Sequence, residues 1–243
     1  MRGWLASVSS GRRRCSGASV GSCSSAPLKH IIVRPTLMRA PVVNFHGGSS
    51  VVNTGHIIFL NGTSSAGKTT IAHSLQEQLA QPYMHISTDM FFHMYPERFV
   101  SPTRQEEAEI FAGLVPAVVS GFHRSVAVWA KAGNNMIVDH VLQEDGWLEE
   151  CVENWMGLDV CFVGVKCPLE IAEQREMERG DRNIGTARYQ YDRVHRHGLY
   201  DVQVDTSTLS VQASTDRIIS GTKVSPSESA FGELVKLRGL SST

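Results

Sequence analysis

The stretch His56-Ile57-Ile58-Phe59-Leu60-Asn61-Gly62-Thr63-Ser64-Ser65-Ala66-Gly67-Lys68-Thr69-Thr70, followed by residues 71–80 (IAHSLQEQLA), decides the fold. Residues 57–60 are a short apolar run of the kind a buried parallel strand shows, and Ile71, Leu75 and Leu79 recur every four residues, as on one face of a helix. Between them, residues 62–69 match G-x-x-x-x-G-K-[ST], so a glycine-bounded loop joins a strand to a helix N-terminus. There the loop N–H groups and the helix dipole hold phosphate oxygens, and Gly62 and Gly67 allow conformations and close approaches that a Cβ would block. Lys68 would bridge the β- and γ-phosphates of ATP, and the Thr69 hydroxyl would ligate Mg²⁺. Thr63, Ser64, Ser65, Ala66 and Thr70 complete the expected nucleotide cradle.

Working outward, strands are predicted at residues 83–87, 136–139, 160–165 and 202–204. Helical patterns cover residues 104–132, with Pro116 expected to break or kink the run, then 145–155, 168–179 with Pro168 in the favoured first position, and 211–219. Apolar strands alternating with helices predict an α/β protein with an open, doubly wound, mostly parallel sheet of about five strands. Ligands of such sheets bind beyond the carboxyl ends of the strands, where Lys68, Asp89, Asp139 and Asp205 all fall. There is no N-K-x-D for guanine recognition and no L-S-G-G-Q of transporter ATPases, and a body of about 165 residues is the scale of small-molecule and nucleotide kinases.

Phosphoryl transfer to a hydroxyl needs a base, cationic groups around the transferred phosphoryl and a metal. Asp89, about twenty residues past Lys68, is the candidate base; Ser-Thr-Asp is also a capping sequence, so a helix N-cap is its structural alternative. Asp139 reads either as an acid that orients Mg²⁺ or as a turn residue. Arg175, Arg179, Arg182 and Arg188 sit in a glycine-interrupted segment that suits a helical lid, or else pair with Glu176, Glu178 and Asp181 on a solvated helix. His195-Arg196-His197 reads as a solvated pair rather than a metal site, because no third ligand is evident. Phe91, Phe92, Met94, Tyr95 and Phe99 either line an acceptor pocket or pack as core.

The 243 residues are 42% hydrophobic and 19% charged, enough for a sizeable core, and the net charge of −1 argues against nucleic acid or an anionic membrane as main partner. That balance is uneven. The first acidic residue is Glu77, so residues 1–76 hold eight basic groups and no acid, leaving 15 basic residues for all 24 acids. Residues 1–55 read as a basic leader and linker expected to be disordered, with residues 1–26 resembling an organellar transit peptide in composition, or forming a plain unstructured extension, or marking a mis-assigned start ahead of Met38. The kinase domain then spans 56–220 and a tail 221–243. Location is cytoplasmic, or organellar if the leader is a transit peptide. No run reaches the roughly 18 apolar residues needed to cross a bilayer. Five cysteines without paired spacing predict free thiols, those of the body buried.

The body resembles the chloramphenicol phosphotransferase family of P-loop kinases. The matching pieces are residues 57–69, the Asp89 segment with Met94-Tyr95-Pro96, residues 132–141 (AGNNMIVDHV), Val163-Gly164-Val165-Lys166-Cys167, residues 175–182 (REMERGDR) and residues 200–207 (YDVQVDTS). The resemblance implies a P-loop NTPase fold like that of nucleoside monophosphate kinases, with ATP-dependent phosphorylation of a primary alcohol. It carries the family's base onto Asp89, its phosphate-contacting arginines onto Arg179 and Arg182, and the adenine-side turn onto Asp205, Thr206 and Ser207. In antibiotic-modifying members such transfer inactivates the drug. Between Asp89 and Gly133 the sequence departs from the family, so reaction type carries over better than acceptor. Two further readings stand beside this one: a non-catalytic nucleotide-binding switch, and a nucleotide or metabolite kinase of the same fold.

Overall fold

In the computed structural model, which describes residues 53–180, 184–222, 225 and 228–239, five apolar segments line up in one direction. They are β1 (His56–Asn61), β2 (Met84–Ser87), β3 (Met136–His140), β4 (Asp159–Lys166) and β5 (Val202–Asp205), paired in parallel in the order β2-β3-β1-β4-β5. The helices are α1 (Lys68–Gln78), α2 (Thr88–Phe92), α3 (Glu97–Val100), α4 (Gln105–Lys131), α5 (Trp147–Trp155), α6 (Leu169–Arg179), α7 (Thr186–Tyr191), α8 (Val211–Gly221) and α9 (Ala230–Leu237). Helices cover both faces of the sheet, which is why β1 shows no polar alternation: Ile57, Ile58, Phe59 and Leu60 are all fully buried. Ile57, Phe59, Val138 and Phe162 face one core with α4, α5 and α9; Ile58, Leu60, Val163 and Val165 face the other with α1 and α8. Parallel pairing puts every strand's carboxyl end on one edge, with the phosphate loop leaving the central strand there.

Several local expectations change. Pro116 lies inside α4 and does not break it. A mid-helix proline costs about 3 kcal/mol, but Phe111 on one side and Val118, Val119 and Phe122 on the other are buried and hold the helix through an exposed Pro116. Among the described helices α4 is long and apolar enough to cross a membrane by length and composition, and the residues it buries account for part of that apolarity. Ser87, not Asp89, caps α2: its hydroxyl accepts the Met90 N–H at 3.3 Å, which leaves Asp89 in the first helical turn. Pro168 precedes α6 as its extended cap residue. Residues assigned only to a tail include α9, whose Phe231 stacks on Trp155 and meets Phe162 edge-on. Of the aromatic cluster after Asp89, Phe91 packs on Phe122, and Phe92 and Tyr95 pack on Phe111, so these rings dock α2 and the turn after it onto α4. Cys151, Cys161 and Cys167 are free and buried, and burial pushes the Cys161 thiol up to about 12.

His195 and His197 are not solvated. His195 Nδ1 lies 2.6 Å from the Tyr200 hydroxyl, and His197 stacks on Phe162. Burial, with small repulsion from nearby cations, holds His195 at about 4; burial also holds His197 at about 4, despite partial compensation from backbone carbonyls. Both folded values are depressed, so below pH 6.5 the unfolded chain binds protons that the folded chain refuses until about pH 4. Stability therefore falls as pH drops through that window, at less than the limiting ~1.4 kcal/mol per pH unit per proton because both rings are only partly buried. His197→Phe, which keeps the stack, is expected to flatten the slope in urea melts compared at pH 7 and pH 5.

Candidate active site

The loop that leaves β1 is shaped by three constraints. Ser65 (φ 60°) and Gly67 (φ 91°) take the left-handed conformation that turns the chain into α1, whose N-terminus no side chain caps. Gly62 answers a different demand: a Cβ there would sit 2.3 Å from the Val165 carbonyl oxygen, so β4 requires this glycine whatever the loop binds. The hydroxyls of Thr63, Ser64 and Ser65 are buried without a hydrogen-bond partner, an arrangement costly for a loop that binds nothing and fitted to an anion with many acceptor oxygens. Lys68 Nζ donates to the Thr63 carbonyl at 2.8 Å and stands 3.8 Å from Asp139 Oδ1. The Ser64 N–H donates to Gln190 Oε1 of α7 at 2.6 Å, and Gln190 Nε2 donates to Gln143 Oε1 at 2.7 Å.

Thr69 and Asp139 meet directly, the hydroxyl donating to Asp139 Oδ2 at 2.8 Å. Burial works to raise the Asp139 carboxyl, but Lys68, His85 and Thr69 outweigh it and hold the group below its ordinary value, hence ionised. One hydroxyl and one carboxylate are hard oxygen donors of the kind Mg²⁺ takes beside phosphates and water. Among the described residues no cluster of three His, Cys, Asp or Glu could cage a metal unaided. The turn-residue alternative for Asp139 is thereby set aside on geometry: it lies within β3, one residue before the strand's end, buried and bonded to Thr69 at the start of α1.

A cleft of about 480 Å³ opens along this edge. Ser64, Ser65, Gly67, Lys68, Thr69 and Thr70 border it from the loop and the start of α1, Ser87, Thr88 and Asp89 from β2 and α2, and Asp139 from β3. Arg175, Arg179 and Thr206 close the remaining side. The structure thus brings together Lys68, Thr69, Asp89, Asp139, Arg179 and Thr206. Gly62, Thr63 and Ala66 support the loop without bordering the cleft, although the Ala66 carbonyl accepts the Thr206 hydroxyl at 2.9 Å. Asp205 also stays back, its carboxylate accepting the Ser207 N–H and hydroxyl at 2.8 and 2.6 Å within its own turn. Arg182 lies outside the described residues.

The lid arginines divide. Arg175 is tied to Thr206, donating to its hydroxyl at 3.0 Å and its carbonyl at 2.9 Å, and so anchors the turn after β5. Arg188 forms a two-pronged pair with Glu173 at 2.7 and 2.8 Å on the surface. Glu176 pairs with neither; its buried carboxylate accepts the Gly185 and Ala187 N–H groups at 2.7 and 2.9 Å and fixes α7 to α6. Glu176→Ala strands both amides and is expected to cost about 2–4 kcal/mol in chemical denaturation. Sequence reading did not find Thr88, His85, Gln143 or Gln190, since single polar residues carry no spacing signal; for Arg175 the i, i+4 relation to Arg179 was the only clue.

A family model described as chloramphenicol phosphotransferase-like protein matches residues 55–223. Two Mycobacterium tuberculosis proteins (strains H37Rv and CDC 1551) that bear the provisional name O-phosphotransferase are each 30% identical over 199 residues, covering 75% of this chain and 88% of theirs. Among solved structures, the fold is similar to that of a Janibacter sugar kinase (TM-score 0.52, 18% identity, 71% of this chain and 97% of that one). It is similar also to the Mycobacterium tuberculosis APS kinase (TM-score 0.53, 14% identity, 70% and 99%) and to a Deinococcus radiodurans tunicamycin resistance protein (TM-score 0.51, 17% identity, 70% and 97%). Such identities speak for a shared P-loop kinase fold.

Proposed function

This chain belongs to the chloramphenicol phosphotransferase-like family, and we propose from that premise that it moves the γ-phosphoryl group of ATP to a hydroxyl of a small-molecule acceptor. The observation that carries the reading is the confluence on one cleft of an anion-fitted loop, the Thr69–Asp139 oxygen pair and a further carboxylate, Asp89. In this reading the loop amides and the Ser64 and Ser65 hydroxyls fix the phosphates, and Lys68 and Arg179 balance the charge of the transferred group. Asp89 takes the proton from the acceptor hydroxyl. Thr69 and Asp139 would hold Mg²⁺, whose part when bound is to neutralise phosphate charge.

Purified protein with ATP and a panel of alcohols, including chloramphenicol, sugars and nucleosides, tests the proposal: ADP release should rise with one acceptor and be matched by a phosphorylated product. Tight ATP binding with no acceptor-stimulated turnover would support the nucleotide switch in its place. Within the kinase reading, the accepted alcohol separates drug inactivation from metabolism.

A further inference from the structure

Side-chain amides from two distant segments hold the first half of the phosphate loop. Just ahead of it, Asn61 Oδ1 accepts the Leu142 N–H at 3.0 Å while Asn61 Nδ2 donates to the Val194 carbonyl at 2.6 Å. Inside it, the Ser64 N–H meets Gln190 of α7 at 2.6 Å, across 126 residues of sequence, and Gln190 meets Gln143 at 2.7 Å. Residues 142–143 and 190–194 thus grip the chain twice on its way from β1 into the loop. The next residue, Ser65, sits at φ 60°, a conformation that a serine keeps only where its surroundings enforce it.

Bonding capacity alone fixes the direction of these contacts. A backbone N–H can only donate, so Gln190 turns its side-chain oxygen to Ser64. The Gln190 nitrogen then faces Gln143 and, as a donor, requires the Gln143 oxygen there. None of the three groups titrates. Ser64, Gln143 and Gln190 are 4%, 8% and 7% exposed, so water is a poor substitute for any of these partners.

Ser64 is divided by this arrangement. Its N–H is engaged by the protein, whereas its hydroxyl, like that of Ser65, is buried, unpartnered and beside the cleft. Helix α7 is held at its start as well, by Glu176 of α6, the helix whose Arg175 and Arg179 border the cleft. One short helix therefore sets the spacing between the phosphate loop and the arginine-bearing helix.

Resting on the kinase reading above, we propose that Gln190 is a positioning residue of the phosphate loop: oriented by Gln143, its side-chain oxygen keeps the Ser64 N–H when nucleotide is bound and so holds the Ser64 and Ser65 hydroxyls toward the phosphates. The loop amides left for phosphate then exclude that of Ser64. Without the Gln190 oxygen the amide turns to other acceptors, the loop spends only part of its time in the binding conformation, and affinity falls by that fraction. Gln143 acts through Gln190 and has no further part.

Two measurements on the full chain decide this. In ¹⁵N,¹³C-labelled protein saturated with ADP, a coupling across the hydrogen bond should join the Ser64 amide nitrogen to the Gln190 side-chain carbonyl carbon. A ³¹P coupling on that amide instead would make it a phosphate ligand and overturn the proposal. In calorimetry, Gln190→Met, which keeps the chain length without a strong acceptor, should raise Kd for ADP about tenfold; KM for ATP should rise in step with any panel alcohol that turns over, with acceptor KM changed less than about threefold. Gln143→Met should raise Kd less, and adding it to Gln190→Met should change nothing further, whereas additive effects would deny that it acts through Gln190. A Gln190→Met protein that melts earlier yet binds ADP like the parent has lost packing alone, and the positioning role falls while the kinase reading stands. A parent that binds no ADP takes down the kinase reading and this proposal together.

Discussion

Lys68→Ala is expected to lower phosphoryl transfer by about a thousandfold or more at saturating ATP, the scale on which a single placed charge stabilises a transition state. The ammonium is nearly buried, bonded to the Thr63 carbonyl and beside Asp139, so no surface cation can take its place. Its loss acts twice. It removes the cation beside the transferred group, and it removes the largest influence opposing burial at the Asp139 carboxyl, whose proton affinity then rises at the expense of metal binding. Steady-state turnover with a magnesium titration reads both effects: kcat collapses, and any residual activity requires more Mg²⁺. A variant within tenfold of the parent would remove the proposed mechanism.

Asp89→Asn should lower kcat by about a hundredfold to ten-thousandfold while nucleotide affinity stays within a few-fold. The side chain is nearly isosteric, and Ser87 caps α2, so the substitution leaves the helix start intact and a loss of rate cannot be assigned to unfolding. A fluorescent ATP analogue reports binding and single-turnover product formation reports chemistry. Full-rate transfer by the Asn variant would move the base elsewhere.

What could be read from the sequence follows from how local each signal is. The central strands were legible because a parallel sheet covered on both faces makes them continuous apolar runs, as in residues 57–60 and 160–165, whereas the edge strands β2 and β5 are short and mix polar residues with apolar ones. Lys68, Thr69 and Asp139 were legible because the loop fixes the first two by spacing and a strand end fixes the third. Pro116 misled because its cost is local whereas the packing that offsets it, Phe111 against α2 and Phe122 in the core, is tertiary. The helix at residues 230–237 escaped because eight residues at the chain end carry barely two turns of pattern. The pairing of Arg188 was not legible because its partner, Glu173, stands fifteen residues away in the sequence. His123 and His140 had no signal: a core histidine on a helix and another on a strand look alike until the fold sets them nitrogen to nitrogen.

The two glycines of the phosphate loop answer to different masters. Gly67 serves the turn into α1, whereas Gly62 is pinned by the carbonyl of Val165 on the neighbouring strand. In a descendant lineage that abandoned nucleotides, Lys68 and the loop hydroxyls would be free to drift, yet Gly62 would persist for as long as the sheet did. A retained first glycine is thus a fossil of architecture, and the survival of Lys68 is the better marker of a working ancestor's chemistry.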